Sequence, residues 1–193
     1  MLREKFNESK KYVSLNKTKL LIDKHPFHLV EAGIIHRIFP TAKFIFVIRH
    51  PFDVVLSCFM QCFEINEGTA HFFNLDDASR LYQEIIDLWY QYQELLPLET
   101  CQLYYEDLIG SFEDSVQNLM TFLNIPWDDS VKRYFEHQHY QKSDRKTYTA
   151  SYSQVSQPIY QTAKYRWRNY RSFLEPVIPK LAPFAQKFGY PIE

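Results

Sequence analysis

The chain has 193 residues, of which 46% are hydrophobic and 23% charged, and its net charge is −1. These values are typical of one globular domain, and the near-zero charge excludes a global field that would attract nucleic acid or an anionic membrane. No apolar run reaches the roughly 18 residues of a membrane helix, so we expect no membrane span. The polar start is unlike a signal peptide. The chain has three cysteines, Cys58, Cys62 and Cys101, which cannot all form disulfides with one another, and this favours a reducing, cytoplasmic location.

The amino-terminal part predicts a tail, a strand and a helix. Residues 1–18 are polar and lysine-rich, and we expect a tail there. The continuous apolar run in 19–24 (KLLIDK) predicts a buried parallel strand. Pro26 suits the first turn of a helix, and apolar residues recur at helical spacing over 27–38.

The strongest strand lies at 42–48 (AKFIFVI). It is apolar throughout, which predicts a central strand covered on both faces. Arg49-His50-Pro51 breaks it, and 53–63 predicts a helix. Strand, helix and strand over 19–48 predict a βαβ unit.

The remaining elements complete an α/β pattern. Helices are expected at 76–96, 112–123 and 128–137, a third strand at 101–105, a polar surface loop at 140–157 and a proline-broken helical tail at 165–188. We therefore predict a single domain over 1–193, with three layers in which helices flank a parallel β-sheet.

Arg49 and Ser57 form the first candidate site. Arg49 stands at the carboxyl end of the central strand, where ligands of open parallel sheets bind, and helix amides follow at once. Ser57 comes eight residues later, inside the predicted helix. An arginine fork and a hydroxyl group would together hold a phosphate. The alternative is that Arg49 pairs with Asp53 and that Ser57 is only a small helix residue.

Other candidates are weaker when each is taken alone. Tyr105 at the end of the third strand could contact a ligand, or could simply cap the core with its hydroxyl in water. Lys24, at the end of the first strand, could neutralise a leaving phosphate or could simply be exposed. The polar loop with Ser151, followed by Arg166, suits a lid over an anion, but these residues taken alone favour an ordinary solvated loop and a basic helix start.

Metal ligation is not expected. His25-x-x-His28 and His137-x-His139 have no carboxylate or cysteine partner at a diagnostic spacing. Neither a G-x-S-x-G nor a G-x-x-x-x-G-K motif occurs in the chain.

Taken together, the segments resemble a known family. Residues 42–57 (AKFIFVIRHPFDVVLS) resemble the 3′-phosphate-binding motif of sulfotransferases that use 3′-phosphoadenosine 5′-phosphosulfate (PAPS). This resemblance implies that Arg49 and Ser57 bind the 3′-phosphate of PAPS. Residues 23–27 (DKHPF) resemble the Lys-x-Pro segment of tyrosylprotein-type members, which implies a leaving-group role for Lys24.

Later segments follow the order of the same family. Residues 103–108 (LYYEDL) place Tyr105 at a nucleotide-contacting position, and 151–155 (SYSQV) imply that Ser151 contacts the 5′-phosphosulfate or bridging oxygen. Arg166 stands where tyrosylprotein members carry lysine. The resemblance is closest to tyrosylprotein-type and bacterial tetratricopeptide-associated members, and it implies a P-loop NTPase-like fold in which 140–165 cover the cofactor.

The resemblance also implies features that this sequence does not display before Lys24. The family opens with a strand and a Gly-rich loop that holds the 5′-phosphosulfate, followed by a catalytic base, whereas the first glycine here is Gly33. Glu31 and Glu64 have no positional support as the base. We therefore expect an amino-terminally truncated domain with an exposed sheet edge, which favours self-association or association with the missing segment.

Two functions follow from the resemblance. One is transfer of a sulfuryl group from PAPS, without a metal, to a hydroxyl acceptor such as protein tyrosine, carbohydrate or a small molecule. The other is a catalytically incomplete module that binds PAPS, or its product 3′-phosphoadenosine 5′-phosphate (PAP), or a protein partner.

Overall fold

The computed structural model describes residues 20–61, 63–133 and 163–193, and the structural statements below concern these ranges. In chain order the helices and strands are α1 (His28–Ile38), β1 (Lys43–Ile48), α2 (Pro51–Met60), α3 (Leu75–Leu95), β2 (Glu99–Tyr104), α4 (Tyr105–Gly110), α5 (Phe112–Leu123), α6 (Arg171–Leu174) and α7 (Ile178–Lys187). Short 3-10 turns lie at Thr69–Phe73, Asp129–Arg133 and Arg166–Tyr170.

The sheet consists of β1 and β2, which pair in parallel as the sequence predicts. The register joins Lys43 to Glu99 at one end and Ile48 to Tyr104 at the other. Since the two carboxyl ends are level, Arg49 and Tyr105 both leave the sheet at the same edge. This alignment positions the candidate site.

Local sequence explains where the flanking helices begin and end. Asn74 caps α3 by accepting hydrogen bonds from the backbone amides of Asp76 and Asp77, whose carboxylates also favour a helix amino terminus. Asn124 ends α5 in the left-handed region, at φ 58°, where asparagine is tolerated better than most residues.

Two adjoining apolar clusters form the core. The first surrounds Trp89 and includes Phe46 and Phe188, and the second surrounds Phe52, Trp167 and Leu181. The carboxyl-terminal elements therefore pack against both β1 and α2. No helix of the described ranges is both long and apolar enough to span a membrane.

The predicted strand at 19–24 is wrong for the part that the structure describes. Residues 20–24 lie outside any strand, and Leu20, Leu21 and Ile22 are 58, 61 and 72% exposed. Consequently the predicted βαβ unit over 19–48 does not form. An apolar run becomes a strand only where a neighbouring strand accepts and donates its backbone hydrogen bonds, and among the described strands β1 pairs only with β2.

Burial of β1 also differs from the expectation. Phe46 and Ile48 are buried, but Val47, which points to the opposite face, is 59% exposed. Within the described ranges, the face of β1 that carries Val47 is therefore less covered than the face that carries Phe46 and Ile48.

Smaller differences concern element ends. Tyr105 opens helix α4 instead of ending the third strand, so a six-residue helix was missed. The predicted helix at 128–137 is a 3-10 turn over Asp129–Arg133, and its remainder lies outside the described residues. The helices at 27–38, 53–63, 76–96 and 112–123 are confirmed to within a few residues.

Candidate anion-binding site

A sharp strand-to-helix turn sets the position of Arg49. β1 ends at Ile48 and α2 begins at Pro51, a residue suited to a first helical position. The buried His50 caps α2, since its Nδ1 accepts a hydrogen bond of 3.2 Å from the amide of Phe52. The backbone on both sides of Arg49 is therefore fixed by the secondary structure.

The guanidinium of Arg49 is held from three directions. Its Nη2 donates to the carbonyl oxygen of Ala163 at 2.7 Å and lies 3.9 Å from Oδ2 of Asp53. Its central carbon lies 4.9 Å from the centre of the Tyr105 ring, a cation–π contact. The side chain remains 22% exposed.

The Nε atom of Arg49 is buried and has no hydrogen-bond partner within the described ranges. A buried donor that lacks an acceptor carries a free-energy cost, so an arriving anion that satisfied it would bind with extra affinity. A guanidinium that is held in place, partly exposed and incompletely hydrogen-bonded fits a phosphate group.

Asp53 links Arg49 to the carboxyl-terminal part of the chain. Its Oδ1 accepts a hydrogen bond of 2.8 Å from the amide of Trp167, and the residue is 1% exposed. Burial raises the pKa of Asp53, although the Trp167 amide and the positive charge of Arg49 act in the opposite direction. The Arg49–Asp53 pair that was the alternative interpretation is thus present, but at 3.9 Å it leaves Oδ2 of Asp53 without a hydrogen bond to any described residue.

Ser57 lies in α2, four residues after Asp53. Residues four apart on a helix share one face, with Cβ atoms about 5–6 Å apart, so Ser57 is on the side of α2 that faces the Arg49 site. That Ser57 and Arg49 hold one phosphate together stays a prediction.

Arg166 and Tyr105 reach the site from two other elements. Tyr105 is the first residue of α4, and its ring contacts Arg49. Arg166 is exposed and opens a 3-10 turn, and the next residue, Trp167, binds Asp53 through its amide. The structure therefore brings Arg49, Tyr105 and the backbone beside Arg166 to one region.

Lys24 is exposed and lies on no element, so the strand-end position predicted for it is wrong. Pro26 and Phe27, just after it, line an apolar cavity of about 180 Å³ together with Arg49. The segment that carries Lys24 thus runs beside the same end of the sheet.

Ser151 and most of the predicted covering loop at 140–165 lie outside the described residues, although Ala163 near its end is the residue that binds Arg49.

A buried polar cluster beside Arg49 was not predicted from the sequence. The Glu106 carboxylate accepts hydrogen bonds from the amide of His50 and from the hydroxyl of Tyr190, and His50 Nε2 lies 2.8 Å from the carbonyl oxygen of Pro191. Burial lowers the pKa of His50. The only sequence signal was the charged Glu106 directly after the strand predicted at 101–105, and nothing local pointed to Tyr190.

The described ranges contain no group of three or more histidine, cysteine or carboxylate side chains that could hold a metal ion.

Comparison with known proteins supplies the family context. A model described as the sulfotransferase family matches residues 3–129. An uncharacterized protein of Aquifex aeolicus is 31% identical over 172 residues, which cover 89% of this chain and 22% of that protein. Protein-tyrosine sulfotransferase A of Caenorhabditis elegans is 26% identical over 179 residues, covering 88% of this chain and 44% of the relative. The chain thus spans less than half the length of either relative.

A solved structure gives the same result for the fold. The sulfotransferase domain from the curacin biosynthetic pathway superposes with a TM-score of 0.67, covering 98% of this chain and 68% of that domain, at 19% identity.

Proposed function

The chain belongs to the sulfotransferase family, and from that premise we propose that it contributes the nucleotide-binding part of a site that transfers a sulfuryl group from PAPS to a hydroxyl acceptor. The observation that supports this proposal most directly is Arg49, a partly exposed guanidinium with an unsatisfied buried Nε at the carboxyl end of β1. Parallel sheets bind ligands at this edge, and arginine binds phosphate through its fork of donors.

In this proposal the residues are grouped by the part of PAPS that they bind. Arg49 and Ser57 bind the 3′-phosphate, and Arg166 adds positive charge close by. Tyr105 keeps the guanidinium of Arg49 in place through the contact of its ring. Lys24 and Ser151 contact the 5′-phosphosulfate.

Bound PAPS supplies an activated sulfuryl group, so no metal is needed. The acceptor hydroxyl loses its proton to water and its oxygen forms a bond to sulfur, while the bond from sulfur to the bridging phosphate oxygen breaks and PAP is released. Lys24 and Ser151 stabilise the negative charge that develops on this departing oxygen. The proposal assigns no general base to the described residues.

Tyrosine in a protein is the acceptor that we propose first. Relatives of the chain include protein-tyrosine sulfotransferases of Caenorhabditis elegans and Danio rerio, and the latter is 30% identical over 117 residues. Carbohydrate and small-molecule hydroxyl groups are the alternatives. Transfer of labelled sulfate to a tyrosine peptide, compared with its phenylalanine counterpart, tests the acceptor.

The position of Lys24 favours a second function, binding of PAPS or PAP without catalysis. Lys24 is exposed and no strand holds it. A chain that only binds the nucleotide would bind PAP but would transfer no sulfate to any acceptor. Assaying labelled PAPS with the same preparation that is used for binding separates the two functions.

The decisive experiment compares two nucleotides by calorimetric titration. PAP and adenosine 5′-phosphate differ only in the 3′-phosphate, so a site built on Arg49 should bind PAP at least about tenfold more tightly. Arg49→Ala should remove this preference and leave the weaker affinity for adenosine 5′-phosphate almost unchanged.

Arg37→Ala is the matched control. Arg37 is an exposed arginine in the last turn of α1, which leads into the opposite end of β1. Its replacement should leave the preference for PAP intact. Equal affinity of the unmodified chain for the two nucleotides would contradict the proposed site.

A further inference from the structure

The buried cluster beside Arg49 joins three distant parts of the chain. Glu106, the second residue of α4, is 4% exposed. Its Oε1 accepts a hydrogen bond of 3.2 Å from the amide of His50, and its Oε2 accepts one from the hydroxyl of Tyr190. A buried carboxylate is stable only when hydrogen bonds or opposite charges compensate for the loss of water, and these two donors provide that compensation.

The cluster fixes the backbone on the carboxyl side of Arg49. His50 directly follows Arg49, so the bond from its amide to Glu106 holds the peptide that joins them. Glu106 also directly follows Tyr105, whose ring contacts the guanidinium of Arg49. A shift of Glu106 would therefore move Arg49 through its backbone and Tyr105 through the adjacent peptide.

The carboxyl-terminal residues are anchored to the same place. Gly189, at φ 78°, lets the chain leave α7, and the amide of Tyr190 bonds to the carbonyl of Ala185 at 2.8 Å. The next residue, Pro191, accepts a hydrogen bond of 2.8 Å from Nε2 of His50. Because Nδ1 of His50 accepts from the Phe52 amide, its ring is the neutral form with the proton on Nε2.

Aromatic packing reinforces these hydrogen bonds. The His50 ring centre lies 5.0 Å from those of both Tyr190 and Trp167. Burial raises the pKa of Tyr190, and the neighbouring Glu106 carboxylate raises it further, so the hydroxyl stays protonated and donates to that carboxylate.

We propose that Tyr190 is a positioning residue for the 3′-phosphate site: through Glu106 it holds both Arg49 and Tyr105 in the arrangement that binds the nucleotide. The inference rests on the proposed function. It assigns to the carboxyl-terminal segment, 141 residues beyond Arg49 in sequence, a part in nucleotide selectivity.

The test measures the ratio of the affinities for PAP and for adenosine 5′-phosphate. Tyr190→Phe removes only the hydroxyl, and we expect this ratio to fall about tenfold. A change of this size corresponds to the free energy of about one hydrogen bond to a charged group. A merely structural role would lower both affinities or the folded population without changing the ratio. Binding is measured well below the unfolding midpoint, with circular dichroism showing the folded state.

Tyr92→Phe is the matched control. The Tyr92 hydroxyl also joins two elements, since it donates to the carbonyl of Val30 at 3.1 Å, but it does so between α3 and α1. Its loss should leave the ratio unchanged.

Glu106→Gln serves as the conservative variant. Its side-chain oxygen can still accept from the His50 amide, and its NH₂ can donate to the Tyr190 hydroxyl, so the ratio should stay close to that of the unmodified chain. If Tyr190→Phe alone does not fold, it is combined with Glu106→Gln, which removes the buried charge. The double variant should then show the reduced ratio.

The outcomes separate this inference from the proposed function. No preference for PAP in the unmodified chain overturns both. A clear preference in the unmodified chain that persists in Tyr190→Phe, or in the double variant, overturns only the role of Tyr190.

Discussion

The guanidinium of Arg49 lies over the ring of Tyr105, 4.9 Å from its centre. The two residues are brought together by strand register, because each directly follows one member of the Ile48–Tyr104 pair at the carboxyl end of the sheet. The proposed anion site therefore depends on the parallel alignment of β1 and β2, and residues 56 positions apart in sequence become neighbours.

This contact predicts different effects for two substitutions of Tyr105. Tyr105→Phe keeps the aromatic face, so affinity for PAP should fall no more than about twofold. Tyr105→Leu loses the cation–π contact, which is worth about 0.5–2 kcal/mol, and affinity should fall about two- to thirtyfold. Titration of both variants with PAP checks this prediction, and equal effects of the two substitutions would show that the ring's aromatic character is unimportant.

His50 predicts a pH dependence of stability. Its pKa lies below the ordinary 6.5, because burial disfavours the charged ring and Arg168 and Arg49 repel it, while Pro191 and Glu106 act in the opposite direction. The unfolded chain therefore binds the proton more readily. This contribution to stability is complete above about pH 6.5 and is lost as the pH falls below it.

Urea unfolding between about pH 5 and 7 measures this effect against His50→Asn. Asparagine keeps an oxygen that can accept from the Phe52 amide and so preserves the cap of α2. The free energy of unfolding should rise less steeply with pH in the variant than in the unmodified chain. Identical slopes for the two proteins would show that His50 does not titrate in this way.

Cys58 is expected to react slowly with electrophiles. Burial raises the pKa of its thiol to about 11, although the charge of Arg49 lowers it somewhat. Because the thiolate is the reactive form, alkylation by iodoacetamide should accelerate about tenfold per pH unit up to that value. Mass spectrometry of the Cys58 peptide follows the rate, with the urea-unfolded chain as control; a rate that levels off near pH 8 would contradict the prediction.

Exposed apolar side chains predict self-association. Val30, Ile34 and Ile38 of α1 follow one another at four-residue spacing and are 41, 49 and 43% exposed. Such a surface favours association through burial of apolar area. Light scattering coupled to size exclusion should show species larger than one chain at high concentration.

Ile34→Lys should shift this distribution towards the monomer. Ile65→Lys is the control, because Ile65 is also exposed, at 77%, but lies outside α1. A monomer at every concentration, or an equal response to both substitutions, would argue against α1 as the contact.

Much of the fold could be predicted from local sequence. The apolar run that forms β1, the periodicity of α1, α3 and α5, and Pro51 after Arg49 all act over a few residues. The parallel character of the sheet and the position of Arg49 at its carboxyl end follow from the same patterns. The run at 20–24 has the same apolar character as a strand but forms none, because strand formation depends on a distant partner.

The surroundings of Arg49 were decided by tertiary structure alone. Its bond to Ala163 spans 114 residues, the bond from His50 to Glu106 spans 56, and that from Tyr190 to Glu106 spans 84. Hydrogen bonds between such distant residues produce no periodic pattern in the sequence, because they depend on how helices and strands pack against one another. The sequence thus determined that Arg49 stands at the carboxyl end of β1, whereas packing of the carboxyl-terminal segment against β1 and α4 decided which hydrogen bonds surround it.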